Sequence, residues 1–579
     1  MTTLPTDTPT VQKPLRLWPG VLAVALMWLA WLVLPLVVPE AKLYGLVGGI
    51  FGGALVIILW WLFFSRAPWA ERGGALVLMV LAPLAIRPFL HESIAGGGMG
   101  MLFFIFAIPA LCLALVGWAV VSRRLPRGPR WATLVAALLL ACGVFTLLRT
   151  GGITGEGDSD LHWRWTPTPE ERLLALPEKE KATVPPPAAT TVAAWPGFRG
   201  PERNSILRGV QLAPEWARTP PRQLWRRPVG PGWSSFAVRG NYFYTQEQRG
   251  PDEVVACYAV STGEPVWSHR DPVRFYESNA GAGPRATPTL SDGQVYTLGA
   301  TGIVNVLDAT TGSVVWTRNA ATDTGAKVPE WGFAGSPLVV DDLVIVATAG
   351  RLVAYDRVTG KPRWTAQTGG TGYSSPHLAT LHGMRQILLL STAGVSSLAP
   401  ADGKELWKYP WAGDGIVQPA LTAEGDIVLG AGSGLAAEKG VRRLTVAKGP
   451  DGWTAQERWS ATGLKPYFSD FVIHQGHAYG FDGSLLACID MADGQRKWKG
   501  GRYGHGQLLL LPDQDLLLVL AETGELALVA AKPDQYKQLA LFREALTGKT
   551  WNHPVLVGEI LLVRNSEEMA AFRLPLAGR

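Results

Sequence analysis

Cysteine is scarce in this chain, four in 579 residues, and none of the four sits in a C-x-x-C-H haem motif or beside a second cysteine. Covalent haem and a disulfide-stapled scaffold are therefore both excluded. Charge is thin too, at 17% of residues with a net +6, and no dense Lys/Arg stripe interleaved with aromatics stands out. Nucleic-acid binding is not expected. Ionisable residues are rarest in the first quarter, where the mean hydropathy of +0.14 has its source.

Five apolar stretches fill that quarter: Leu15 to Val38, Leu43 to Phe64, Gly73 to Leu90, Met99 to Val121 and Trp131 to Leu148. Each is about the 17–25 residues a helix needs to cross a bilayer. A soluble core is excluded because five such runs leave no polar face for water. Trp18, Trp60, Trp61, Trp69, Trp118 and Trp131 flank them as interfacial belts. Lys13 and Arg16, then Arg66 and Arg72, then Arg123, Arg124, Arg127 and Arg130 mark the N-terminus and the even loops, while the odd loops carry Lys42 alone. By the positive-inside rule the N-terminus is cytoplasmic, and an odd number of spans puts the rest of the chain across the membrane, in the periplasm of a Gram-negative cell. The first span reads as an anchor rather than a cleaved signal. Arg87, with His91 and Glu92 just beyond it, reads as a snorkelling arginine in preference to a quinone contact. A bacterial inner-membrane, multi-pass protein is expected.

After residue 149 the composition turns to glycine, then charge, then Pro185-Pro186-Pro187, a stiff spacer over 150–194. Thr168-Pro169-Glu170-Glu171 inside it has the capping-box pattern of one short helix.

From residue 195 to 579 one unit recurs, clearest from Ala286 to Trp316: four short strands joined by Gly-containing turns and ending in Trp. Units end at Trp267, Trp316, Trp364, Trp407, Trp459, Trp498 and Phe542, a period in the 40–50-residue range of propeller blades. An eighth unit, Trp551 to Pro575, lacks its last strand, and the stretch near 222–228 supplies one. The expected fold is an all-α transmembrane bundle of five helices followed by an all-β eight-bladed propeller closed by its own N-terminal strand. Cys257 and Cys488 occupy equivalent positions three blades apart, too far for the roughly 7 Å a disulfide allows. The recurrent tryptophans read as wedges between blades, and the Thr-Gly and Asp-Gly pairs as turns rather than calcium sites.

Aligning the units on the start of their innermost strand gives a ring at the channel mouth: Trp233 and Ser235, Arg285 and Thr287, Trp331 and Ser336, Tyr373 and Ser375, Gln418, Asp470, His505 and Gln507, and Asn552 and His553. Gln246-Glu247-Gln248-Arg249 lies one strand later. Two arginines, two acids, amides and flat rings converging on one axis would hold a planar anion.

Asp308-x-x-Thr-Gly312…Trp316 and Asp356-x-x-Thr-Gly360…Trp364 make the repeats resemble the PQQ-like (pyrroloquinoline quinone) propellers, over roughly Trp195 to Leu576. The resemblance implies one of two roles. One is a BamB-like module that binds a ligand or a periplasmic protein partner without catalysis. The other is a quinoprotein dehydrogenase for alcohols or sugars that holds PQQ and Ca²⁺ on the axis and feeds membrane quinone. Five spans before such a propeller resemble the plan of membrane-bound glucose dehydrogenase. In the dehydrogenase reading Asp470 or Glu247 is the base, and Arg285, Trp331, Tyr373, Arg249, Gln246, His505 and Asn552 contact the cofactor; no metal ligands are assigned. The opening Trp195-Pro-Gly-Phe-Arg-Gly200 resembles that of a bacterial branch of PQQ-binding-like propellers.

Overall fold

Glycines spaced four apart set the first packing event of the helical region. In the computed structural model, which describes residues 15–38, 45–177, 192–432 and 438–578, a Cβ on Gly45 would come within 2.6 Å of the Ala30 carbonyl oxygen and one on Gly53 within 2.6 Å of Met27. Bare backbone on this face lets the second helical segment lie directly on the first. Lys13, Lys42 and the Pro185–Pro187 spacer lie outside the described residues.

The chain divides into two compact units, one of residues 1–153 and 157–166 and the other of 154–156 and 167–579. In the first, four helices are long and apolar enough to cross a membrane: Trp18–Val37, Trp69–Phe89, Leu102–Arg124 and Arg127–Leu147. The second of the five expected spans is the shorter helix Gly48–Phe64. Its length falls at the lower limit because the glycine-rich start winds into a wide turn, Gly45–Gly52, before regular helix begins at Gly53. Buried charge here is paired: Arg130 meets Glu71 at 3.2 Å and stacks on the Trp118 ring at 5.1 Å. Strands Leu148–Ile153 and Ser159–Trp163 then form an antiparallel hairpin within what composition reads as spacer.

In the second unit the helix Pro169–Leu174 has its capping box, with Thr168 Oγ1 accepting from the Glu171 N–H and Glu171 accepting from the Thr168 N–H. Eight four-stranded antiparallel sheets follow. Blade 1 runs from Ala237–Arg239 to Pro265–Asp271, and blades 2 to 7 follow in chain order, the last ending at Gln538–Phe542. Blade 8 is Val555–Val557, Ile560–Arg564 and Glu568–Arg573, with Arg222–Pro228 as its outer strand. The first strand of the propeller thus closes the ring against the last.

Tryptophans join the blades. The indoles of Trp267, Trp316 and Trp364 donate to the carbonyls of Ala309, Arg357 and Pro400 in the next blade, at 2.9–3.1 Å. The turn glycine of that next blade lies under the ring: a Cβ on Gly360, at φ +68°, would sit 2.7 Å from Trp316. Asp308 makes the turn itself, accepting from Thr310 N, Thr311 N and Thr311 Oγ1. Trp407 departs from the pattern and donates to Gln386 of its own blade; in blade 5 a hairpin of two ten-residue strands stands in place of the Asp-x-x-Thr-Gly turn. Cys112, Cys142, Cys257 and Cys488 are buried free thiols.

Candidate functional site at the propeller axis

The inner strands start on residues that tie each blade to the next. Ser235 N–H donates to Thr287 Oγ1, Thr287 N–H to Ser336 Oγ, and Ser336 N–H to Ser375 Oγ, each at 2.9–3.0 Å. Gln418 N–H continues the pattern to Asp470 Oδ1 at 3.2 Å, and Ser235 Oγ closes it on the His553 carbonyl at 2.6 Å. Short hydroxyl side chains at this position therefore bond backbone to backbone around the axis.

Residues 195–206 are threaded across this ring. Trp195 pairs with Val238 of blade 1, Pro196 accepts from Leu290 of blade 2, and Ile206 pairs with Leu510 of blade 7. Between them Phe198 packs edge-on to His553 at 4.9 Å. Arg199, 3% exposed, reaches Asp470 Oδ1 at 3.1 Å and also donates to the Phe471 and Asn204 carbonyls and to Ser205. Arg203 donates to the Ser336 and Pro337 carbonyls of blade 3. Burial alone would raise Asp470, but Arg199 and then His553, at 3.2 Å, hold it below the ordinary carboxylate value. Burial and the two arginines push His377 down to about 3, so its imidazole is neutral. The axial acid is ionised and already satisfied.

Above the ring, side chains from the loops between blades form an arc of rings. Trp331 stacks on Tyr373 at 5.0 Å and meets Tyr467 at 6.3 Å; Phe468 stacks on His505 at 5.2 Å and lies 4.8 Å from Trp551, which meets Trp233 at 4.7 Å. Lys549 sits over Trp551 and Trp233 at 4.5 and 5.2 Å. Burial, opposed by Glu522 and Glu156, lowers His505, and burial raises Tyr373. Arg285 spends its donors on the carbonyls of Gly281, Ala282, Gly283 and Trp331 and on Glu277 at 3.3 Å, and burial brings it down to about 10.

Of the sequence-predicted residues, Arg285, Trp331, Tyr373, His505, Asn552 and Asp470 start inner strands or lie in the loops before them. Asn552 is turned into the blade wall, donating to the Ser234 carbonyl at 2.8 Å. Gln246, Glu247 and Arg249 are not brought to the axis cluster. Gln246 bonds the Ala286 carbonyl at 2.7 Å, and Glu247, fully enclosed, takes Arg249 at 3.0 Å, Tyr258 and the Gly230 N–H. Burial would raise Glu247, and Arg249, Tyr258 and Arg564 overcome it and hold it low. Arg199, Arg203, His377, Tyr467 and Phe468 were missed; the signal for Arg199 is the Trp195–Gly200 motif, which has no counterpart in the repeats to align it with, and Arg203 follows just after it.

A quinone with an axial cation needs acidic or amide donors free to meet it. Here Asp470 is spent on Arg199, His553 and Gln418, Arg285 is spent on backbone carbonyls, and among the described residues no three His, Cys, Asp or Glu side chains gather as metal ligands. Gln418, Gln507 and Asn552 of the same ring keep side-chain oxygens buried without a partner, so amides are on hand for a cation while the Asp470 carboxylate is already engaged.

A family model described as outer membrane protein assembly factor BamB matches residues 218–381 and 391–572. A curated tetrathionate hydrolase from Acidithiobacillus ferrooxidans is 30% identical over 224 residues, 34% of this chain and 42% of that protein, so the chain spans about two fifths of that relative's length. Among solved structures, quinohemoprotein alcohol dehydrogenase from Comamonas testosteroni has 15% identity over 66% of this chain and 82% of its own, with a TM-score of 0.48. BamB from Moraxella catarrhalis has 14% identity over 61% of this chain and 100% of its own, with a TM-score of 0.43.

Proposed function

We propose, for a chain that belongs to the BamB family of PQQ-like repeat propellers, that it is a membrane-anchored binding module rather than a dehydrogenase. In this reading residues 1–149 form a five-span anchor in the bacterial inner membrane with a cytoplasmic N-terminus. Residues 150–194 carry the propeller, 195–579, in the periplasm, where it receives a ligand or a protein partner. Arg16, Arg66, Arg72, Arg123 and Arg124 on one set of loops support the orientation. The aromatic arc with Lys549 is the face we assign to ligand contact, since rings beside a cation suit planar or aromatic groups.

The observation that carries the non-catalytic reading is the Arg199–Asp470 pair. A general base must be free to take a proton from substrate, and this carboxylate has a guanidinium, an imidazole and a backbone N–H on it already. The test is a titration of the full-length protein in lipid nanodiscs with PQQ plus Ca²⁺, following quinone absorbance and melting temperature together. No saturable change at micromolar PQQ is expected. Saturable binding lost in Arg285→Gln would overturn the reading and restore the dehydrogenase. Tetrathionate turnover, assayed because of the hydrolase relative, is expected to stay at background.

A further inference from the structure

A cleft of about 1070 Å³ opens between blades 8 and 1, away from the axis, and the short helix Pro169–Leu174 forms one wall. That helix is fixed in place: both Glu170 oxygens take Arg274 at 2.8 Å, and Oε1 also accepts from the Gly250 N–H at 2.8 Å. Its Leu173 and Leu174 face the cleft, opposite Trp225, Trp267 and Met569. Leu174 remains half exposed, an apolar group that the propeller leaves uncovered.

Arg226, Arg227, Arg249 and Arg270 also line the cleft, and among its described lining residues there is no carboxylate. Each arginine has an acid, Glu568, Glu264, Glu247 and Asp252 respectively, but those acids lie outside the lining. A guanidinium carries five N–H donors in a fixed fork. Arg226 spends its nitrogens on Gln223, Glu568 and the Glu544 and Ala545 carbonyls, whereas Arg249 spends only its Nη2 on Glu247 and Tyr258, and its Nε is buried without a partner. Positive lining over an apolar floor, in a cleft at the upper end of the roughly 300–1,000 Å³ of ligand sites, has one chemical complement.

We propose that this cleft binds an anionic amphiphile: an acyl chain lies against Leu173, Leu174 and the two indoles, and its carboxylate or phosphate head meets the arginines. The site is independent of the axis and of the reading given for it.

The experiment uses the full-length protein in phosphatidylcholine nanodiscs with a diazirine-bearing palmitate, photolysed and mapped by peptide mass spectrometry. Label is expected in strands Arg222–Pro228 and Pro265–Asp271. Ser268 is exposed at the cleft, so Ser268→Trp fills it without disturbing the core, and Leu174→Glu sets a charge against the acyl chain; each is expected to cut labelling roughly tenfold, about 1.4 kcal/mol, with an unchanged melting temperature. Unlabelled fatty acids should compete about three- to fourfold better per added methylene. Stronger competition by phosphatidylglycerol than by palmitate assigns a phospholipid source, and the reverse a free acid; either supports the site, whereas no competition by palmitate overturns it. Equal labelling by the matching diazirine alcohol, or label confined to the apolar helices, overturns it.

Discussion

The axis and the wall between blades 8 and 1 bury the same chemistry to opposite ends. Each encloses an acid against arginine: Asp470 with Arg199 at 3.1 Å, Glu247 with Arg249 at 3.0 Å. On the axis the arginine comes from a segment laid across the channel, and its donors end on Asp470, Ser205 and backbone carbonyls. In the wall the arginine keeps a buried Nε without a partner and faces open space. A buried ion pair by itself therefore says nothing about function; what differs is whether donors are left over and whether there is room to reach them.

The axis should break hardest. Arg199→Ala leaves Asp470 enclosed with only His553 and a backbone N–H, and removing one partner of a buried pair costs about 3–5 kcal/mol. A drop of that size in urea unfolding is expected, and Asp470→Asn in the same chain should recover much of it. Additive single effects would show that Arg199 is not the counter-ion and would erase the contrast with the wall.

The propeller was legible because its repeat carries the information locally: Asp-Gly turns, alternating strands and a terminal Trp recur with one period, and the missing strand of the last unit could be found at Arg222–Pro228. The axis was half legible. Inner-strand starts such as Ser235, Thr287, Ser336 and Ser375 could be aligned, but which neighbour each would bond depends on packing that a single repeat does not encode. Arg199 lies outside the repeats, 271 residues from Asp470, and no spacing rule connects them. Gln246 to Arg249 looked like site residues for their polarity, yet their strand turns them into the wall. The shorter helix Gly48–Phe64 was hidden because a hydropathy window treats the glycines before it as span, while the backbone uses them for close packing.

A third buried acid, with hardly any cation, tests the comparison from another side. Glu253 is 4% exposed, accepts only from the Ala300 N–H, and is pushed up to about 7 by burial. Its ordinary value is 4.5. Between those pH values the folded chain holds a proton that the unfolded chain has released, so stability falls as pH rises through the window and levels off above about 7. The contribution reaches up to about 3 kcal/mol. Urea melts at pH 5 and pH 8 should therefore differ more in the wild type than in Glu253→Gln, with the variant gaining at pH 8. An identical pH difference in both proteins would mean that this carboxyl is ionised when folded, as Asp470 is.

Tyr258 gives the smallest and most local test, because it belongs to both halves of the wall. Its hydroxyl donates to Glu247 and accepts from Arg249, while its ring lines the cleft. Tyr258→Phe removes two hydrogen bonds to charged groups, for which about 1.5–3 kcal/mol is expected in all, since Arg249 and the Gly230 N–H remain on the acid. The same change frees a further donor of Arg249 and leaves the floor apolar. Stability should fall in thermal melts while palmitate labelling holds or rises. Were both to fall together, the wall would be a structural ion pair like the one on the axis, and the donor left over on Arg249 would have no ligand to meet.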